Sequence, residues 1–526
     1  MTENYEKIPQ ELFEFAQLDA TIKDKKLKTK ARGYFADAMI RFKKNKSSIV
    51  AAYIILVLVL FAIIAPFLSP YSVYDTDNVY KNFPPFIRSI ADKNLGIFDG
   101  AYTMASQSEL QMKILEAIKI ETGKNPLISI DGTKSTITKV RGKDTEIKTY
   151  SITVNRYYRV GIKYDNVSYD TFYNIQKFQN ETGLQVLYPY VEKADIYAGL
   201  DKSVYADLSD DPNIWYVCKD TKGNPRLDDE GNFIPAYCTD QTKAGEVTYD
   251  SLRIEGDDGS YIYSRAKSGS VSVRVEYYNY VQYKQWAKTG KYIEPTYVFG
   301  TEENGTDMMT AIACGARFSL IFAVLVSAIN LTIGAIYGAI QGYYGGYIDL
   351  FMDRITDILS EVPFVVVTTL FQLHLAKKVG SVPSFLFAFV LTGWIGMAAL
   401  TRKQFYRFKS QEFVYAAKTL GASDWRLMFK HIFPNSLGTI ITSCALVIPG
   451  VIGSETSLTY LGIVNIKSFA GTSIGVLMSQ GQAAMTTSPY AMFFPAMFVS
   501  LLLISFNLFG NGLRDAFNPT TRGLED

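Results

Sequence analysis

Histidine is almost missing from this chain of 526 residues, which has only His374 and His431. Neither stands in a nucleophile, base and orienter set or in a metal-ligand spacing such as His-Glu-x-x-His, so metal-assisted hydrolysis is disfavoured. No Gly-x-x-x-x-Gly-Lys-Ser/Thr loop occurs either, and the chain lacks a phosphate cradle for ATP. Cysteine is scarce, with four residues and no zinc spacing. Excess charge is lacking too: 53 Lys and Arg against 51 Asp and Glu leave +2, and no compact basic, aromatic module stands out. Nucleic acid is therefore not an expected partner.

What the chain does have is long apolar runs separated by polar sequence, the mark of a protein part membrane and part aqueous. Six runs approach the length needed to cross about 30 Å of hydrocarbon as helix. They lie near 48–69, 316–341, 351–376, 382–401, 436–462 and 490–511. The 47 residues before the first run are too long and polar for the leading part of a cleaved signal, so that run is expected to be a permanent span. Basic residues set the orientation. Lys23, Lys25, Lys26, Lys28, Lys30, Arg32, Arg41, Lys43, Lys44 and Lys46 precede the first span. Arg402, Lys403, Arg407, Lys409, Lys418, Arg426 and Lys430 crowd the loop after the fourth. Both regions are expected on the cytoplasmic side, which gives six spans with both termini inside and leaves 516–526 as a cytoplasmic tail.

Between the first two spans, residues 72–298 are polar, rich in tyrosine and long enough for a domain with its own core, placed outside by this orientation. Gln107 to Thr122 reads as an amphipathic helix stopped by Gly123, and Thr171 to Glu181 as another stopped by Gly183. Alternation at Ile152 and Val154, and at Val271, Val273 and Val275, suggests strands, so an α+β insertion is expected. Cys218 and Cys238 flank a turn-rich stretch whose arms could bring the sulfurs together. In an oxidising exterior such a bridge would add about 3 kcal/mol.

Residues 412–434, within a basic 402–435 loop, are the most specific stretch. Residues 412–420 are helix-compatible, Gly421 can take the positive φ that closes a helix, and Ser423 with Asp424 suits the start of a second one. Pro434 is expected to limit that second segment. Ala417 and Gly421, four apart, would share a face that a partner's backbone could approach.

The spacing of Ala416, Ala417, Gly421 and Pro434 resembles the cytoplasmic loop of permease subunits in ABC importers, especially those for dipeptides and oligopeptides. The resemblance runs from about Tyr297 to Gly523 and includes the first span. It rests also on Gly315-Ala316-Arg317-Phe318-Ser319-Leu320, Leu458-Thr459-Tyr460-Leu461-Gly462 and Phe506-Asn507-Leu508-Phe509-Gly510-Asn511-Gly512-Leu513-Arg514-Asp515. It implies a six-helix type I importer permease fold, with helix 1 at 48–69 and helices 2–6 in a core over 300–515, and a C-type subunit with an unusually large insertion. It also implies a second, similar permease subunit, two ATPase subunits that bind ATP and Mg, an extracellular peptide-binding lipoprotein and a peptide substrate, with lipid around the spans. No cofactor is expected in this chain, and no catalytic site.

Glu412, Tyr415, Ala416, Ala417, Gly421, Ser423, Asp424, Arg426 and Pro434 would then couple the chain to an ATPase. Tyr415 departs from the family, which most often has Glu before the paired alanines. Glu412, three residues earlier on nearly the same helical face, could make a similar contact. Glu455, ionisable within an apolar run, is a candidate for the translocation pathway or for an interhelical hydrogen bond. Gly334, Gly338 and Gly342 form a smooth stripe for close helix packing. The insertion could dock a receptor, cover the entrance or contact the partner subunit. Nickel or another small solute is an alternative cargo. A membrane-anchored ligand receptor is an alternative of another class, disfavoured because the leader and the tail leave no room for a signalling module.

Overall fold

A computed structural model describes residues 34–517, except 92, 94–95, 141–142, 465, 467–470 and most of 191–262, where only Asn213 and Asp229 are described. Cys218 and Cys238 lie outside the described residues.

Helix α1 (Tyr34–Lys44) precedes α2 (Lys46–Leu68), whose N-cap Asn45 accepts a hydrogen bond from the Ser48 amide. The chain returns to the membrane region in α6 (Met308–Tyr344), a 37-residue helix capped by Asp307, after the insertion and its helices α3 to α5. Next come α7 (Gly346–Ser360), α8 (Phe364–His374), α9 (Ser381–Gly393) and α10 (Ile395–Lys409). After the loop helix α11 (Glu412–Thr419) follow α12 (Phe433–Tyr460), α13 (Ile474–Ala483) and α14 (Tyr490–Phe517).

Among the described residues, five continuous helical stretches are long and apolar enough to cross a membrane: 46–68, 308–344, 381–409, 424–460 and 490–517. The expected span at 351–376 takes another form, for α7 and α8 meet at an angle of 72°. Pro363 explains the break: it has no amide hydrogen to donate and disfavours helical geometry in the residue before it. Counting this bent pair as one gives six. A large core of buried side chains, among them Phe318, Phe322, Phe385, Ile452 and Leu502, holds the helices together.

The glycine stripe has a definite partner. A methyl group at Gly334, Gly338 or Gly342 would stand 2.6, 2.1 or 2.7 Å from the carbonyl oxygens of Trp394, Ala398 or Arg402. Three glycines at helical spacing thus let the backbone of α6 lie directly on α10, where any side chain would force them apart.

Among its described residues, the insertion holds two antiparallel sheets. One has the order β1–β3–β2, from β1 (Ala101–Ser108), β2 (Leu127–Val140) and β3 (Lys143–Asn155). In the other, β7 (Ser270–Glu276) pairs with β4 (Ile162–Val167), β5 (Leu187–Tyr188) and β6 (Ser264–Lys267). Helix α3 (Glu109–Thr122) ends at Gly123 with φ +69°, and α4 (Tyr169–Thr182) at Gly183 with φ +71°, both where glycine was expected to stop them. Helix α5 (Tyr277–Thr289) follows β7 directly. Tyrosine dominates the core here: Tyr80, Tyr157 and Tyr297 are buried and in ring contact, and burial pushes their phenols well above the ordinary value.

The insertion is tied to the membrane helices. The Asn82 carbonyl accepts from the Ser488 hydroxyl at 3.1 Å, from the Tyr490 hydroxyl and from Arg156 at 2.6 Å. Thr301 donates to the Tyr80 carbonyl while accepting from the Phe83 amide at 2.8 Å.

Candidate functional site

The loop joining α10 to α12 closes the end of the helices opposite the insertion. Val414 of α11 is its anchor, buried with Ala339, Phe405, Leu427, Met428 and Ile432. Around that anchor, Glu412, Tyr415 and Ala416 face outward, and Tyr415 is 57% exposed.

Helix α11 ends in a Schellman motif. The Ala422 amide donates to the Ala417 carbonyl at 3.1 Å and the Gly421 amide to the Lys418 carbonyl at 3.0 Å, with Gly421 at φ +82°. The positive φ inferred from the glycine is therefore present. The shared face of Ala417 and Gly421 is not, because helical spacing ends at Thr419. Ala417 instead turns half inward beside Ala422, while Gly421 borders open space.

Ser423 occupies the cap position in extended geometry, but its backbone carbonyl, not its hydroxyl, receives the Leu427 amide at 2.9 Å. Asp424 accepts from the Tyr343 hydroxyl of α6 at 2.6 Å, which pins the second helix start to the first bundle. Pro434 does not limit the second segment. A turn of π-helix at Leu427–Ile432 leads straight into α12, and this widened turn just before Pro434 carries the helix past a residue with no amide hydrogen to donate. Helix runs without interruption from Asp424 to Tyr460, so the loop and a membrane span are one rod.

Leu420 and Trp425 are 88% and 63% exposed, and Arg426 is exposed beside them. Behind the loop is a cavity of about 390 Å³ with Tyr343, Lys409, Tyr415, Lys418 and Asp424 in its walls.

Reading the sequence missed a polar clamp just above the loop. Arg402 of α10 forks onto Asp349 of α7 with contacts of 2.6 and 2.7 Å, and reaches Asp353 at 2.8 Å. Tyr406 donates to Asp349 at 2.5 Å and Gln341 of α6 to Asp353 at 3.2 Å. Three helices thus share one charge-assisted network. Asp349 and Asp353, four apart and so on one face of the helix, were the available signal.

Glu455 is fully buried on α12. Ser319 of α6 donates to its Oε2 at 2.7 Å, and the hydroxyls of Thr456, Thr459 and Ser473 surround the group. This places the carboxylate at the junction of α6, α12 and the start of α13. Among the described residues no cluster of three or more His, Cys, Asp or Glu could hold a metal ion.

Residues 330–523 match the family described as binding-protein-dependent transport system inner membrane component. Residues 33–85 match the N-terminal TM domain of oligopeptide transport permease C, and neither match covers 86–329. The chain is 40% identical to an oligopeptide transport system permease protein of Bacillus subtilis over 224 residues, 43% of this chain and 72% of the relative. It is 38% identical to a dipeptide transport system permease protein of the same organism over 225 residues, 43% and 69% of the two chains. A chain from inward-facing structures of the MetNI methionine ABC transporter aligns with 39% of this chain and 97% of its own length, at 13% identity and a TM-score of 0.32. The fold and the loop belong to a polytopic ABC importer permease, a multi-pass membrane protein. Within that class, the chain belongs to the oligopeptide and dipeptide permease family, as a C-type subunit.

Proposed function

We propose that the chain is one permease subunit of an ATP-driven importer of oligopeptides or dipeptides. The observation that carries this reading is the loop itself: α11 is fixed by the Val414 anchor, and beside it stand the exposed Leu420 and Trp425, the latter on a helix that continues to membrane length. A push on Leu420 or Trp425 would travel along the 424–460 rod into the membrane, a rigid-body route between inward and outward openings. The force would come from two ATPase subunits that bind ATP and Mg, for this chain lacks the phosphate loop and serves as a non-catalytic part.

The 402–435 loop would then face the cytoplasm, as its basic residues favour, and the 72–298 insertion the exterior. A second, similar permease subunit would complete the pathway, and a peptide-binding lipoprotein would deliver cargo from outside. Glu412 and Tyr415 stand outward where an ATPase would meet them, and Ser423 and Asp424 set the angle of the rod.

Radiolabelled peptide uptake in a strain deleted for this chain tests the cargo: restored uptake on re-expression is the expected result. Cysteines placed at Ala417 or Ser423 should cross-link to a nucleotide-binding subunit in membranes. Capture of none would remove the importer assignment.

A further inference from the structure

A recess of about 330 Å³ opens among α6, α8, α9 and α12, with none of the loop residues in its walls. Its walls include Asn330, Phe364, Phe389, Thr392, Gly450 and Ser454. That volume is at the small end of the range for ligand pockets, roughly 300 to 1,000 Å³. Asn330 is 1% exposed; its Nδ2 donates to the Phe389 carbonyl at 3.4 Å, and its Oδ1 has no hydrogen-bond partner among the described residues. A buried acceptor without a donor is costly, and more so where the surroundings are apolar. Phe364 and Phe389 meet edge to face at 4.8 Å and form the apolar wall. At Gly450 a methyl group would meet nothing within 4 Å, so the floor is backbone and open space.

The chemistry of the walls restricts the occupant. No carboxylate, thiol or imidazole is there for a cation, and no Lys or Arg for an anion. A hydrocarbon chain would leave Asn330 without a donor. A group that brings an N–H and also rests an apolar side chain against aromatic rings meets both demands, and the peptide backbone is such a group.

We propose that this recess is a transient peptide subsite on the translocation path, in which Asn330 Oδ1 accepts a backbone N–H and the Phe364–Phe389 wall takes a side chain. It rests on the peptide-import reading and adds a permease-side contact to it. Small side chains on α12 keep the subsite tolerant of sequence, because its one directional contact is to backbone common to all peptides.

The test uses the complete transporter in proteoliposomes, with triglycine and trileucine as probes. Gly450→Leu sends a side chain into the recess from a position where a methyl group meets nothing within 4 Å, and should raise KM for trileucine about tenfold while changing triglycine less than about threefold. Asn330→Leu removes the backbone acceptor and should raise KM for both peptides by similar factors, and Gly450→Ala should stay close to wild type. Wild-type uptake with both leucine variants unchanged overturns the subsite and leaves the importer reading standing. Equal loss for both peptides in Gly450→Leu also overturns it, since a structural fault does not discriminate by side-chain size. A Gly450→Cys variant that cross-links to a helix of the second permease subunit would show the recess filled by protein, and overturn it as well. No peptide uptake by the wild type would defeat the importer reading, and the subsite with it.

Discussion

Glu455 shows how one buried carboxylate can join three helices. Ser319 reaches it from α6, and Ser473, the N-cap of α13, lies beside it, so three helices converge on one side chain. Replacement by Gln keeps the size and one acceptor oxygen but turns the other oxygen into a donor among hydroxyls. Glu455→Gln should therefore assemble normally while peptide uptake falls several-fold, measured by co-purification and by transport in the same preparation. Unchanged uptake would remove Glu455 from the residues that matter for movement. Removing the polar end altogether, as in Glu455→Leu, would leave Ser319 buried without its acceptor and should cost about 1–3 kcal/mol of stability. That an acid lay in an apolar run was legible from the sequence. Its hydroxyl partners were not, because Ser319 lies 136 positions away.

Close backbone contact governs the pairing of α6 with α10. Gly338 faces the Ala398 carbonyl so closely that a single methyl group would sit at 2.1 Å. Gly338→Ala should therefore destabilise the pair by about 1–3 kcal/mol, the usual cost of overpacking. Gly396→Ala on α10 is the matched control, since a methyl group there meets nothing within 4 Å. Thermal aggregation of the purified complex should separate the two; equal midpoints would show that the helices can part at no cost. The stripe was readable in advance because its four-residue period is a property of the helix alone. Two other features of these elements were not. Arg402 was read only as a charge near the membrane surface, since Asp349 and Asp353 are 53 and 49 positions away and belong to a helix judged by its apolar content. The 72° bend at Pro363 escaped because a hydropathy window averages across the proline that causes it. Pro434 misled in the opposite direction: the π-helical turn at Leu427–Ile432 lets the helix continue past it, and that turn leaves no mark in a local rule that proline ends helices.

At the scale of the whole molecule, the open matter is what the insertion adds to a membrane part that the family otherwise accounts for. One portion of it can be cut out cleanly. The Arg156 amide donates to the Gly100 carbonyl at 2.9 Å, so β1, α3, β2 and β3 leave and return at adjacent points. Replacing 101–155 by Asn-Gly makes Gly100 and Arg156 the ends of a four-residue turn with that same hydrogen bond across it. The excision carries several penalties: Glu121 of α3 forms a fully buried ion pair with Arg274 of β7, with one contact at 2.6 Å, Lys124 pairs with the buried Glu276 at 3.1 Å, and Asn155 accepts from the Tyr157 and Tyr158 amides. Leaving Arg274 behind would cost about 3–5 kcal/mol, whereas replacing a whole buried pair by apolar groups is often neutral. The excision should therefore be combined with Arg274→Met and with Glu276→Gln, which keeps an acceptor for the Asn279 amide. The Asn82, Thr301 and Tyr490 contacts all lie outside 101–155, so the shortened chain should still assemble with its partners. If this portion helps to receive cargo from an external peptide-binding protein, KM for receptor-delivered peptide should rise about tenfold or more while ATP hydrolysis without receptor stays as it was. An unchanged KM in a fully assembled complex would assign the β1–β3 sheet to structure and move the docking role to the tyrosine-rich remainder of the insertion.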